Sequence, residues 1–142
     1  MIKEKQAFTL IEVMVVIVIL SVLAAFVVPK IIARPDEARL LKAKQDMRVI
    51  EAALKLYKLD NYTYPTTDQG LEALVTQPLG EPAPRQWKEG GYLDQLPKDP
   101  WGFPYYYLFP GQHKEFDLWS HGADGLPGGT DTNSDLGNWQ LD

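Results

Sequence analysis

The polarity of the chain changes abruptly at Phe8. From there to Val28 it reads FTLIEVMVVIVILSVLAAFVV, 21 residues of which only Thr9, Glu12 and Ser21 are polar. That length lets a helix cross a bilayer. The preceding residues, MIKEKQA, are basic on balance. A secretory signal carries an apolar stretch of only about 7 to 15 residues, so 8–28 reads as a membrane helix instead. Pro29 and Pro35 follow, and a proline inside a helix removes one hydrogen bond and crowds the preceding turn, so a kink or local break is expected. Pro35-Asp36-Glu37 then reads as a fresh first turn, with two acids at the positive end of a helix dipole. Beyond it Leu40, Ala43, Met47, Ile50, Leu54 and Tyr57 recur at steps of three and four, while Lys42, Lys44, Asp46, Arg48 and Lys55 face elsewhere. This spacing predicts an amphipathic helix over 36–60 whose apolar stripe packs on a small domain.

The remainder is built of short elements. Thr67 followed by Leu71, Leu74 and Val75 predicts a helix of about two turns with a threonine cap. The run PLGEPAP, 78–84, reads as a surface loop, after which Trp87 and Tyr92-Leu93 return to the core. The turn DPWGFP, 99–104, leads into Tyr105–Phe109, and a PGQHKE turn leads into Phe116–Ser120, which predicts an antiparallel hairpin. Aromatic residues at this density suit a stacking platform, but in so small a domain they read first as core. The fold class is therefore α+β.

Composition narrows the function. A chain of 142 residues, less its apolar segment, supports one modest core. The formal net charge is -5 and no Lys or Arg run tracks phosphates, so no nucleic-acid partner is indicated. The absence of cysteine excludes disulfides, thiolate metal sites and a cysteine nucleophile, and makes a bound metal a candidate staple for a small extracytoplasmic domain. An enzyme lacks materials: His113 and His121 are the only histidines, both in turns, without a serine nucleophile motif or a phosphate-cradling glycine loop.

Glu12 is the sharpest feature. An unpaired carboxylate inside an apolar helix costs roughly 2.5 to 3.5 kcal/mol on insertion scales, and no base of the same segment is near it, so its partner is expected from a neighbouring chain or a newly made terminal amine. The junction A-F-T-L-I-E followed by an apolar run resembles the processing signature of type IV pilins and pseudopilins. That resemblance implies cleavage by a prepilin peptidase between Ala7 and Phe8, N-methylation of Phe8, and a leader of 1–7. Ala7 stands where the family usually has glycine. Loss of Lys3, Glu4 and Lys5 would take the formal charge from -5 to -6. In a stack of subunits the Phe8 ammonium of one copy can pair with Glu12 of the next, removing two costly charges from a low-dielectric setting.

The resemblance extends over the chain: Y-K-L-D-N (57–61), Y-P-T-T-x-Q-G-L-E-A-L (64–74), G-Y-L-x-x-L-P-x-D-P-W-G-x-P-Y (91–105), F-D-L-W-S-x-G-A-D-G (116–125) and D-L-G-N-W (135–139) look like the major pseudopilin of type II secretion. It implies a type IV pilin-like fold: a long N-terminal helix, half membrane-spanning (8–28) and half amphipathic, packed on a head within 29–142. It further implies a homopolymeric periplasmic filament anchored in the bacterial inner membrane, with minor pseudopilins, an inner-membrane assembly platform and the prepilin peptidase as partners. The alternatives are a type IV pilus subunit for adhesion or motility, which commonly carries a C-terminal disulfide, and a minor tip pseudopilin, which often lacks the glutamate.

The stretch HGADGLPGGTDTNSDLGNW places Asp124, Asp131, Asn133 and Asp135 on glycine-rich backbone, hard oxygen donors that suit calcium better than zinc or copper. Asp131-x-Asn133-x-Asp135 resembles the opening of an EF-hand loop but has Leu136 where a glycine is required. Composition alone also fits a solvated turn. The pseudopilin resemblance implies a structural calcium ion here, with Asp124, Asp131 and the carbonyls of His121 and Gly129 as ligands and Asn133 and Asp135 as further candidates.

Overall fold

The computed structural model describes residues 6–142, apart from the side chains of 28–34. Lys3, Glu4 and Lys5 of the leader, and the side chains of Pro29, Lys30 and Arg34, lie outside the described residues. The chain divides into two compact units, Met1–Glu37 and Ala38–Asp142. One helix, α1, runs Leu10–Asn61. The expected local break does not occur: helical backbone passes through Pro29 and Pro35, and Asp36-Glu37 lie inside α1 rather than opening a second helix. Each proline deletes a single donor, and good helix formers such as Ala24, Ala25, Ala38 and Leu41 on either side keep the ladder going.

In the first unit the apolar stretch Leu10–Val27 is exposed along its whole length. Thr9 caps it, its Oγ1 accepting the Glu12 N–H at 3.3 Å, so T-x-x-E begins the helix just after the proposed cleavage point.

In the second unit α1 presents Ala43, Met47, Ile50, Leu54 and Tyr57 to the core, all but fully buried. Leu40 departs from the predicted stripe: it is 42% exposed, one turn beyond the cover of the head. Packed on this face are Tyr64, Leu71, Leu74, Tyr105, Tyr107, Phe116, Leu118 and Leu136, with Trp87, Tyr92 and Leu93 at the margin.

Thr67–Val75 does not make a two-turn helix. Gly70 adopts φ 61°, ψ -168°, which stops any helix, and only Leu71–Leu74 winds into a 3-10 turn. Thr66 caps that bend through Gln69 N–H, while the Thr67 hydroxyl instead ties down Phe109, accepting its N–H at 3.0 Å.

The predicted hairpin forms, with β1 (Tyr106–Leu108) antiparallel to β2 (Asp117–Ser120) and Tyr107 opposite Leu118. A third strand, β3 (Leu136–Gly137), pairs with β2 to give the order β1-β2-β3. Alternation sends Tyr107 inward, while Tyr106 stacks on Trp119 across the outer face, centroids 5.7 Å apart.

Buried polar side chains fasten these short elements. Asn138 accepts the Leu118 N–H and donates to Glu51 and to the Phe116 carbonyl, joining β2 to α1. Asn61 ends α1 by donating to the Tyr57 carbonyl and holds the following loop by accepting Gln86 N–H. Asp117 gathers the β1–β2 turn, accepting N–H groups of Gln112, His113 and Lys114 and facing His113 Nδ1 at 2.9 Å. Burial opposes its ionisation, but these donors outweigh it and hold its carboxyl below the usual aspartate range. Tyr64 is pushed up to about 12 by burial and by its bond to Glu115.

Candidate functional site

Two regions hold the residues singled out from the sequence. At the N-terminal end, Ala7 and Phe8 are non-helical and exposed, and Glu12 sits in the first turn of α1. The three polar residues of the apolar segment now separate. Thr9 caps the helix, and Ser21 returns its hydroxyl to the Ile17 carbonyl at 2.8 Å. Glu12 alone has no ion pair or side-chain hydrogen bond among the described residues. Its position at a capped helix start is worth about 0.3 to 1 kcal/mol through the dipole. That falls short of the roughly 2.5 to 3.5 kcal/mol of placing a charge in lipid, so the local role does not account for it.

A second apolar surface was not anticipated. Leu41, Val49, Ala52, Leu56 and Leu59 are all exposed on α1, roughly half a turn around from the core stripe. Val49, Ala52, Leu56 and Leu59 recur at steps of three and four with Leu41 two turns before them, a spacing visible in the sequence, where only the stripe facing the core is read as a packing surface. A helix with apolar residues on both sides needs a second partner for its outer side.

In the acidic loop the structure brings the glycines and carbonyls together. Ala123 N–H donates to the Thr132 carbonyl at 2.9 Å, closing the loop. Gly122, at φ 75°, lies so near the backbone of 132–134 that an added Cβ would be 2.7 Å from the Thr132 carbonyl and 2.8 Å from that of Ser134. Gly129, at φ 97°, would collide with the Asn133 carbonyl in the same way. Asp124 and Asp131 are both exposed, and among the described residues Asp124 accepts only the Leu126 N–H. Asp131 adopts φ 52° and opens a 3-10 turn, Asp131–Asn133, that leads through Asp135 into β3. Leu136 is buried in that strand, which removes the EF-hand likeness.

Asp135 is committed elsewhere: one oxygen faces His121 Nδ1 at 3.0 Å and the other accepts Gly128 N–H at 3.1 Å. Trp119 Nε1 donates to His121 Nε2 at 3.4 Å, which leaves the ring proton on Nδ1, directed at Asp135. The His121 ring also rests 4.5 Å from Tyr106. Among the described residues no three His, Cys, Asp or Glu side chains cluster as a metal site. Asp124 and Asp131 are nonetheless exposed oxygen donors on this glycine-rich loop, a chemistry that suits calcium better than a soft metal.

Asp99 was missed as a positioning residue. Its buried carboxylate accepts Trp101 N–H, Phe103 N–H and the Ser120 hydroxyl, and Ser120 Oγ in turn accepts Gly122 N–H. This relay fixes the start of the acidic loop to the 99–104 turn. The signal available was an aspartate opening a proline-glycine turn, where its side chain commonly bonds the backbone two residues on.

Comparison with known proteins places this arrangement. Residues 30–139 match the model of type II secretion system protein G, and residues 2–28 match that of the prokaryotic N-terminal methylation motif. The chain is 57% identical over 137 residues to type II secretion system core protein G of Pseudomonas aeruginosa, covering 96% of each. It is 53% identical over 139 residues to that of Vibrio cholerae, covering 98% of this chain and 94% of the relative. The crystal structure of the major pseudopilin from the type 2 secretion system of enterohaemorrhagic Escherichia coli superposes with a TM-score of 0.70 at 45% identity, covering 80% of this chain and 96% of that one. A methylation motif on an exposed apolar helix, joined in sequence to a matching head, assigns the chain to the type II secretion system protein G family, the major pseudopilins.

Proposed function

We propose that this chain is the repeating structural subunit of a type II secretion pseudopilus. Its leader is removed between Ala7 and Phe8 by a prepilin peptidase, Phe8 is N-methylated, and 8–28 anchors it in the inner membrane with its C-terminal head in the periplasm. Copies then leave the membrane and stack, together with minor pseudopilins on an inner-membrane assembly platform, and the growing filament drives export of folded proteins across the outer membrane. The role is mechanical.

The observation that carries this reading is Glu12, the single polar side chain of the apolar helix with no partner among the described residues. A positive charge on Phe8 of an adjacent copy answers it, and methylation of an amine preserves that charge. The outward stripe from Leu41 to Leu56 supplies a further surface for neighbouring helices. Glu12→Ala is expected to insert in the membrane normally yet yield few filaments when every copy carries it; normal filament yield refutes the pairing. In a deletion strain, secretion of folded periplasmic proteins stops while surface pili persist, which separates this role from that of a pilus subunit.

The acidic loop would hold a structural calcium ion through Asp124, Asp131 and the carbonyls of His121 and Gly129. Asn133 is a further candidate ligand, and Asp135 is a weaker one because His121 and Gly128 occupy its oxygens. The ion would supply charge neutralisation and loop order where no disulfide is available.

A further inference from the structure

Two exposed patches on the head surround an apolar centre with opposite charge. The first lies at the C-terminal end of α1, where Leu59 and Tyr62, each 74% exposed, share a surface hollow with Lys55 and Lys58. The Arg85 guanidinium lies over the Tyr62 ring, 5.4 Å from its centroid. Lys58 is paired with Glu115 at 3.1 Å, but Lys55 and Arg85 make no ion pair among the described residues. Tyr62 adopts φ 66°, a conformation that glycine or asparagine usually supplies just past a helix end. A large ring is thus held in a strained backbone and left in solvent.

The second patch centres on Leu79, fully exposed on the proline-rich turn after the 3-10 segment. Asp68, Glu72 and Glu81 line the same hollow, and all three are exposed. The turn is pre-set: Gln69 Nε2 donates to the Pro82 carbonyl at 2.9 Å, and Ala83 N–H donates to Glu81 at 3.2 Å. Docking a turn already held in shape loses little conformational entropy.

We propose that the Leu59–Tyr62 patch of one copy receives the Leu79 turn of a second copy, with Lys55 and Arg85 facing Asp68, Glu72 and Glu81. This rests on the filament reading above and adds to it a head-to-head contact. The two patches share no residue, so the contact is heterologous and can repeat from copy to copy, as an open helical array requires. The apolar centres supply adhesion, and the charges select register and exclude like-on-like approach.

The chain has no cysteine, so Tyr62→Cys with Leu79→Cys introduces the only thiols in the full-length protein. Mild oxidation of assembling cells is expected to give a ladder of linked multimers from the double variant and none from either single variant. Lys55→Glu is expected to lower the yield of sheared filaments by about tenfold, and Glu72→Lys in the same chain to restore it. Filaments of the double cysteine variant without a ladder overturn the contact. Should that variant fail to assemble, the charge exchange decides: rescue supports the contact and its absence refutes it. A parent chain that forms no filament at all defeats the filament reading instead.

Discussion

Replacing Asp99 tests whether a buried carboxylate organises the head. Its side chain is nearly inaccessible, with Asp99 only 4% exposed, and it accepts Trp101 N–H at 3.1 Å, Phe103 N–H at 2.8 Å and the Ser120 hydroxyl at 2.7 Å. Asp99→Ala strands two backbone donors and one hydroxyl. A stranded buried group costs about 1 to 3 kcal/mol, and water entering the vacated space offsets part of that, so a net loss of about 3 kcal/mol is expected. Asp99→Asn keeps an oxygen for both backbone donors but turns an amide toward Ser120, whose Oγ already accepts Gly122 N–H at 3.1 Å. The serine proton then loses its acceptor, for about 1 to 1.5 kcal/mol. Denaturant unfolding of Ala38–Asp142, followed by tryptophan fluorescence, measures both. Thermal midpoints should fall by about 4 to 8 °C per kcal/mol. An alanine variant within about 0.5 kcal/mol of the parent, or an asparagine variant as damaging as alanine, refutes the reasoning.

Calcium removal is expected to lower the melting temperature and protease resistance of the head, since an ion at a hundredfold its dissociation constant stabilises by about 2.7 kcal/mol; an unchanged profile on chelation removes the calcium proposal. Asp117 has a folded pKa below the usual aspartate range, so its contribution is complete above the unfolded value and fades as pH falls through the folded one. Asp117→Asn should therefore be less stable than the parent at neutral pH, the gap narrowing only in strong acid; a gap that is constant with pH contradicts this. Leu54→Ala empties a fully buried site on α1 and should lose about 2 to 5 kcal/mol, read from the same unfolding curves.

Patterns that repeat over many residues were legible before any fold was known. The apolar run from Phe8 shows as unbroken apolarity, the stripe from Ala43 to Tyr57 as residues at steps of three and four, and the two aromatic strands as aromatic runs bounded by turn residues, so sequence pattern alone locates them. The processing junction and the oxygen-rich loop were equally visible, because their chemistry resides in residue type. What escaped depended on a balance between competing local effects or on distant partners. Pro29 and Pro35 lie within a helix that surrounding residues sustain, and Gly70 overrides the short helix that its neighbours favour. Strand β3 has only two residues, too few for any alternation to show, and exists because β2 offers it an edge. Asp99 reads as part of a turn, Asn61 as the residue after a helix and Asn138 as part of an oxygen-rich stretch until residues 20 or more positions away supply their partners. The outward stripe of α1 became a surface only once the head covered the opposite side, since exposure belongs to the packed chain and not to any segment of it.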